Sequence, residues 1–205
     1  MPYPLPEEYL LDVTVERTGE QDLGFSLGFV TGGRQGMLDI DGFDRPGPGA
    51  ANMATALEVI GGVRGNKHSA AYSRGKRLLP LGEPQSFSIE VRKTGVLVRR
   101  DKSTIIDWKG RPEEFSVHPA YQIPNRQALM LAAKASFTIH KLTLTPLSNA
   151  SMPVTATDYD YLATGKWERL IDSATVLTDP KQMKLTDGIL ELDRTGMGFP
   201  NIRRS

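Results

Sequence analysis

Apolar and polar side chains alternate strictly along much of this chain, and turn-forming residues interrupt the alternation at short intervals. Residues 9–17 (YLLDVTVER) set Tyr9, Leu11, Val13 and Val15 on one face and Asp12, Thr14 and Glu16 on the other. A period of two with β-branched residues marks a strand buried on one face only. Residues 24–30 (GFSLGFV) repeat the pattern, with glycines where backbone is crowded. Residues 37–41, 56–60, 87–92, 96–99, 104–108 and 136–145 follow in the same style, and Lys93-Thr94-Gly95 is a short hairpin-type link. The result is about ten strand candidates at roughly 8–12-residue spacing, the mark of an all-β sandwich or barrel. Residues 126–135 (RQALMLAAKA) carry good helix formers, so a short helix competes there with a strand at 128–132. The chain reads as an antiparallel β-sandwich or barrel.

Composition narrows the functional classes. The 205 residues hold 25 Lys+Arg against 24 Asp+Glu, a formal charge of +1, whereas nucleic-acid binders carry a marked basic excess. No window reaches the roughly 18 apolar residues of a membrane-spanning helix. With no cysteine there is no disulfide scaffold, thiolate metal site or cysteine nucleophile. His68, His118 and His140 never fall at metal-ligand spacing. The opening MPYPLPEE lacks the basic and apolar regions of a signal peptide, which fits a cytosolic chain or a piece of a longer secreted one. Localisation is therefore open, extracytoplasmic or cell-surface in the second case.

Three regions follow from the pattern: a main sandwich over 1–147, a connector over 148–164, and C-terminal strands over 165–205. The connector is polar and tyrosine-rich around Asp158-Tyr159-Asp160-Tyr161. Beyond it, Trp167-Glu168-Arg169-Leu170-Ile171 and Gly188-Ile189-Leu190-Glu191-Leu192 read as two strands. Two strands make no core of their own, so they complete a sheet in this chain or in a neighbour's.

Several stretches together resemble the bacterial concanavalin A-like (laminin-G-like) jelly-roll domains, near their 3-keto-disaccharide hydrolase-like relatives. These are Pro4-Leu5-Pro6-Glu7-Glu8-Tyr9-Leu10-Leu11, Val13-Thr14-Val15-Glu16-Arg17, Leu79-Pro80-Leu81-Gly82, Val91-Arg92-Lys93, Ile105-Ile106-Asp107-Trp108-Lys109-Gly110 and Leu142-Thr143-Leu144-Thr145-Pro146-Leu147. The family's usual Asp-Gly turn is Arg100-Asp101-Lys102 here. The resemblance implies a jelly-roll sandwich that binds carbohydrate or another partner as a module of a larger protein. A family-like opening, Trp167 to Asp172 and Asp187-Gly188-Ile189-Leu190, comes last instead of first. That order implies a circular permutation closed within the chain, strand exchange that builds a homo-oligomer, or the start of a truncated second repeat.

Candidate chemistry rests on few residues. Asp39, Asp41 and Asp44 copy the spacing of the Glu-x-Asp-x-x-Glu signature of laminarinase-type glycoside hydrolases, which share the jelly roll. On a strand Asp39 and Asp41 point to one face, and a kink at Gly42 swings Asp44 beside them. The readings are a catalytic carboxylate pair, a calcium site completed by loop carbonyls, or an ordinary turn. Arg64, Lys67, Arg74, Lys76 and Arg77 form the densest basic stretch, with Tyr72 among them and Glu58 and Glu83 nearby. Tyr72, Arg74, Trp108 and Tyr121 are the ligand-binding candidates, the aromatics for stacking on sugar rings. Residues 61–67 lack the spacing of a phosphate loop, no Gly-x-Ser-x-Gly elbow occurs, and His140 reads as structural. The favoured function is non-catalytic binding of carbohydrate or a protein partner, without membrane or nucleic acid. The alternatives are a glycosidase or lyase acting through the aspartates, and an assembly module.

Overall fold

The computed structural model describes residues 5–20, 24–43, 52–118, 128–133, 135–147, 183–186 and 189–192. The described residues form strands and three short 3-10 turns. One sheet contains β1 (Tyr9–Arg17), β8 (Gln85–Arg92), β9 (Gly95–Arg100), β10 (Ser103–Lys109), β12 (Phe137–Pro146), β13 (Met183–Thr186) and β14 (Ile189–Leu192), in the order β10-β9-β8-β1-β12-β14-β13. The second contains β2 (Phe25–Thr31), β3 (Arg34–Phe43), β4 (Asn52–Leu57), β7 (Tyr72–Lys76) and β11 (Met130–Ala133), in the order β11-β2-β3-β4-β7. A small hairpin joins β5 (Val59–Ile60) to β6 (Val63–Arg64). Every pairing between named strands is antiparallel, and the two large sheets share one core: this is an antiparallel jelly-roll β-sandwich.

The alternation in β1 does what it dictates. Tyr9, Leu11, Val13 and Val15 are buried against Phe25, Leu27, Phe29, Leu38 and Ile40 of the other sheet, while the residues between them face out. Two of the tight links need left-handed backbone at both central positions, and glycine fills all four places. These are Gly32-Gly33 between β2 and β3 and Gly61-Gly62 between β5 and β6. The second pair turns a hairpin, so the run over 61–67 has no helix N-terminus behind it to cradle phosphate.

One alternative is settled and some elements depart from expectation. Residues 130–133 (MLAA) form β11, the strand expected over 128–132 and not the competing helix, because pairing with Phe25–Gly28 of β2 outweighs the propensity of four residues. The basic loop after Gly62 contains a regular strand, β7, paired to β4 from Asn52↔Lys76 to Ala56↔Tyr72. Near the C-terminus, β14 pairs with β12 of the same chain (Phe137↔Leu192 to Ile139↔Leu190), and β13 pairs in turn with β14. The strand expected at 167–171 lies outside the described residues.

Tyr9 links the sheets through its polar tip. Its hydroxyl donates to Val30 O at 2.7 Å and accepts from Val30 N at 2.8 Å, although the ring belongs to β1 and Val30 to β2. Burial pushes the phenol far above its ordinary range, so it stays a neutral donor and acceptor at every working pH. Tyr9→Phe keeps the packing but strands a buried N–H and a buried C=O. The expected cost is about 1–3 kcal/mol, read as a Tm lower by roughly 2–4 °C for each kcal/mol at this chain length. A Tm within a degree of the parent's contradicts the assignment.

Candidate functional site

The acidic group is built into a bulge. The β3–β4 register shifts between Asp39 and Phe43, and Asp41 sits in the left-handed region at φ 53°. The left-handed residue interrupts the alternation that was expected to set Asp39 and Asp41 on one face. Asp39 Oδ1 accepts from Ser26 Oγ at 2.6 Å, across the β2–β3 pairing. Asp41 Oδ2 accepts from the backbone N–H groups of both Leu78 and Leu79 at 2.7 Å, and the Asp41 N–H donates to Thr55 Oγ1 at 3.2 Å. A side chain at Gly42 would collide with the Asp39 carboxylate, and one at Gly24 would collide with the backbone of Gly42, so both glycines serve this close approach.

The chemistry of these carboxylates follows from their surroundings. Asp39 and Asp41 are only 2% and 4% exposed, whereas glycoside hydrolysis needs two carboxyls open to the glycosidic bond. Burial raises the Asp41 pKa, an effect opposed by the two backbone N–H groups and by the charges of Arg77 and Arg17. Donors and guanidinium groups around a carboxylate suit an anion and repel a cation, so the residues at Asp41 do not fit calcium. No group of three or more metal-ligating side chains is gathered among the described residues. Asp44, the third member of the motif, lies outside them. Asp39 and Asp41 therefore act on the fold: one ties β3 to β2, the other holds the chain leaving β7.

Trp108 does not offer its ring to a ligand. It is 5% exposed and packs on Phe115 with ring centroids 4.5 Å apart, and Phe115 meets Phe29 edge-on at 5.1 Å. This aromatic chain fills the core between the sheets, and Gly110 leaves the space the indole occupies. The correction has a simple cause: the same alternation that buries Ile106 buries Trp108 two residues on. Tyr121 lies outside the described residues.

Tyr72 and Arg74 do come together. Both belong to β7, the edge strand of its sheet among the described residues, and occupy alternate positions opposite Ala56 and Ala54. The half-buried Tyr72 ring packs on those two buried alanines, which form a cluster separate from the main core. Arg74 is exposed beside it, and Lys76, opposite Asn52, continues the same face one step further. The 3-10 turn Gly65–Lys67 packs against β4 and β7 and brings the exposed Lys67 to this end of the sheet. Arg64 is exposed too, while Arg77 is half-buried and its charge acts on Asp41.

No family model matches this sequence. No curated protein matches it either. Among solved structures, sheep galectin-11 in complex with glycerol aligns at 10% identity over 71% of this chain and 95% of its own, with a TM-score of 0.39. The ancestral congerin Con-anc aligns at 14% identity over 67% of this chain and 90% of its own, with a TM-score of 0.37. The fold assignment rests on the sheets themselves.

Other polar pairs escaped the sequence reading. His140 Nε2 donates to Glu16 Oε2 at 2.8 Å on the outer face of the larger sheet. The β1–β12 register shifts there, pairing Thr14 with Lys141 and Val15 with Ile139, so His140 is the extra residue of a bulge. Ser88 Oγ donates to Asp12 Oδ1 at 2.6 Å on that face. Pairing register is the only signal for these contacts, and a single sequence does not display it.

Asp41 yields a prediction with a definite sign. Its folded pKa lies above the unfolded value, so its contribution to stability is fully present below about pH 4 and is lost as pH rises through the folded pKa. Asp41→Asn keeps an acceptor for Leu78 and Leu79 without a buried charge. Its Tm at pH 7 is expected to equal or exceed the parent's, with the difference closing in acid. Asp41→Ala leaves two N–H groups unmatched and costs about 1–3 kcal/mol at either pH. An asparagine variant that melts as low as the alanine variant contradicts this.

Proposed function

We propose that this chain is a non-catalytic β-sandwich module that binds carbohydrate, with the ligand seated on the face of β7. The supporting observation is the placement of Tyr72 and Arg74 at alternate positions of one edge strand, the ring propped on Ala54 and Ala56. A propped ring loses little freedom when a sugar stacks on it, and the neighbouring guanidinium supplies donors to hydroxyl or acidic oxygens. Burial of Asp39 and Asp41 weighs against the glycosidase or lyase reading, which relied on these two residues together with Asp44.

A glycan array probed with the purified chain, once with calcium and once with EDTA, tests the reading. Binding is expected on a subset of glycans and unchanged by EDTA, because Tyr72 and Arg74 need no metal. Tyr72→Ala is expected to lower the affinity about tenfold, the scale of one good stacking contact. A wild-type chain that binds no glycan overturns the proposal.

A further inference from the structure

We infer that the ligand of the β7 face is an acidic polysaccharide, sulfated or uronic, held by Arg74, Lys76 and Lys67; this deepens the proposed function and rests on it. The whole chain is nearly neutral, yet its charge is segregated. Residues 59–82 contain Arg64, Lys67, Arg74, Lys76 and Arg77, and no Asp or Glu at all, although the chain has 24 acids. The flanking Glu58, which in sequence dilutes this stretch, is 5% exposed and turned into the structure. Asp39 and Asp41, the acids of the adjacent β3, are buried as well. Folding therefore withdraws these three carboxylates and leaves Lys67, Arg74 and Lys76 at the surface, while Glu83, beyond the acid-free stretch, stays exposed.

The arrangement of the cations selects the kind of anion. Arg74 and Lys76 are exposed, make no ion pair among the described residues, and lie two residues apart on one strand face, a separation of about 7 Å. Lys67 adds a third exposed charge from the 3-10 turn packed beside β7. Cations spaced along an edge, with an aromatic ring at one end, match a polymer that repeats both an acidic group and a sugar ring. A duplex or a single strand of nucleic acid presents a denser charge and draws on a broadly basic protein, which this chain is not. The low net charge also keeps the attraction local to β7, so that affinity depends on these few residues.

The test compares four immobilised probes of matched length: dextran sulfate, polygalacturonate, neutral dextran and single-stranded DNA. The full chain is expected to bind the two acidic polysaccharides more tightly than the other two, with affinity falling as salt rises. Arg74→Ala/Lys76→Ala is expected to weaken the acidic polysaccharides about tenfold, flatten the salt dependence and leave Tm unchanged, since both side chains are exposed. Lys109→Ala, on the other sheet, is the control and is expected to change nothing. Neutral dextran bound as well as dextran sulfate, and lost in Tyr72→Ala, overturns the charge inference while the carbohydrate reading stands. DNA bound more tightly than either acidic polysaccharide, or a double variant that binds like the parent, also overturns it. No polysaccharide bound at all overturns both.

Discussion

Two backbone N–H groups, on Leu78 and Leu79, converge on one oxygen of a buried carboxylate, and the candidate surface depends on that junction. Asp41 belongs to β3, while Leu78 and Leu79 follow directly after β7. The chain leaving the edge strand is therefore fastened to a strand two places further into the sheet. Asp41 reaches them because its own backbone turns left-handed and shifts the β3–β4 register. A buried carboxylate is costly, and this one is retained with backbone donors and the fields of Arg17 and Arg77 around it. In this account the acidic motif is a fastening. Its service to binding is indirect, through the position of β7.

The two sheets use their polar residues differently. On the larger sheet the outward side chains pair in rows, Asp12 with Ser88, Thr14 with Ser86 and Glu16 with His140. Arg92 and Arg99 converge on Glu90, and Arg92 reaches Glu8 as well. Opposite charges there largely satisfy one another. The smaller sheet buries its acids and displays cations at one edge. The His140 bulge lies where β14 stops pairing with β12, beside the exposed Lys141 and ahead of Pro146. A bulge, a lysine and a proline are the features by which natural sheets discourage addition of a foreign strand.

Much of the fold was legible because burial and alternation coincide. In β1, β8 and β12 the inward positions are apolar except at two strand ends, Arg17 and Gln85, and the strands can be read directly. β7 (YSRGK) hides from such a reading because its alternation is one of size, Tyr, Arg and Lys against Ser and Gly, with no apolar face toward the main core. β11 is read less directly, because four residues of Met, Leu and Ala suit helix and strand alike until β2 supplies a partner. The site was legible only in its residue types. Spacing brought out Asp39 and Asp41 but carried no sign of their burial, nor of the left-handed turn between them. Tyr72 and Arg74 could be named as types able to bind, while their shared face depends on pairing with Ala56 and Ala54.

The central claim is that ligand lies along β7 of the smaller sheet. A titration of the isotopically labelled chain with polygalacturonate, followed by amide chemical shifts, locates the contact residue by residue. The account predicts shifts concentrated at Tyr72–Lys76, Asn52–Leu57 and Gly65–Lys67, with the outer face of the larger sheet unmoved. Shifts centred on Asp12, Ser88 and Arg99 instead would contradict it.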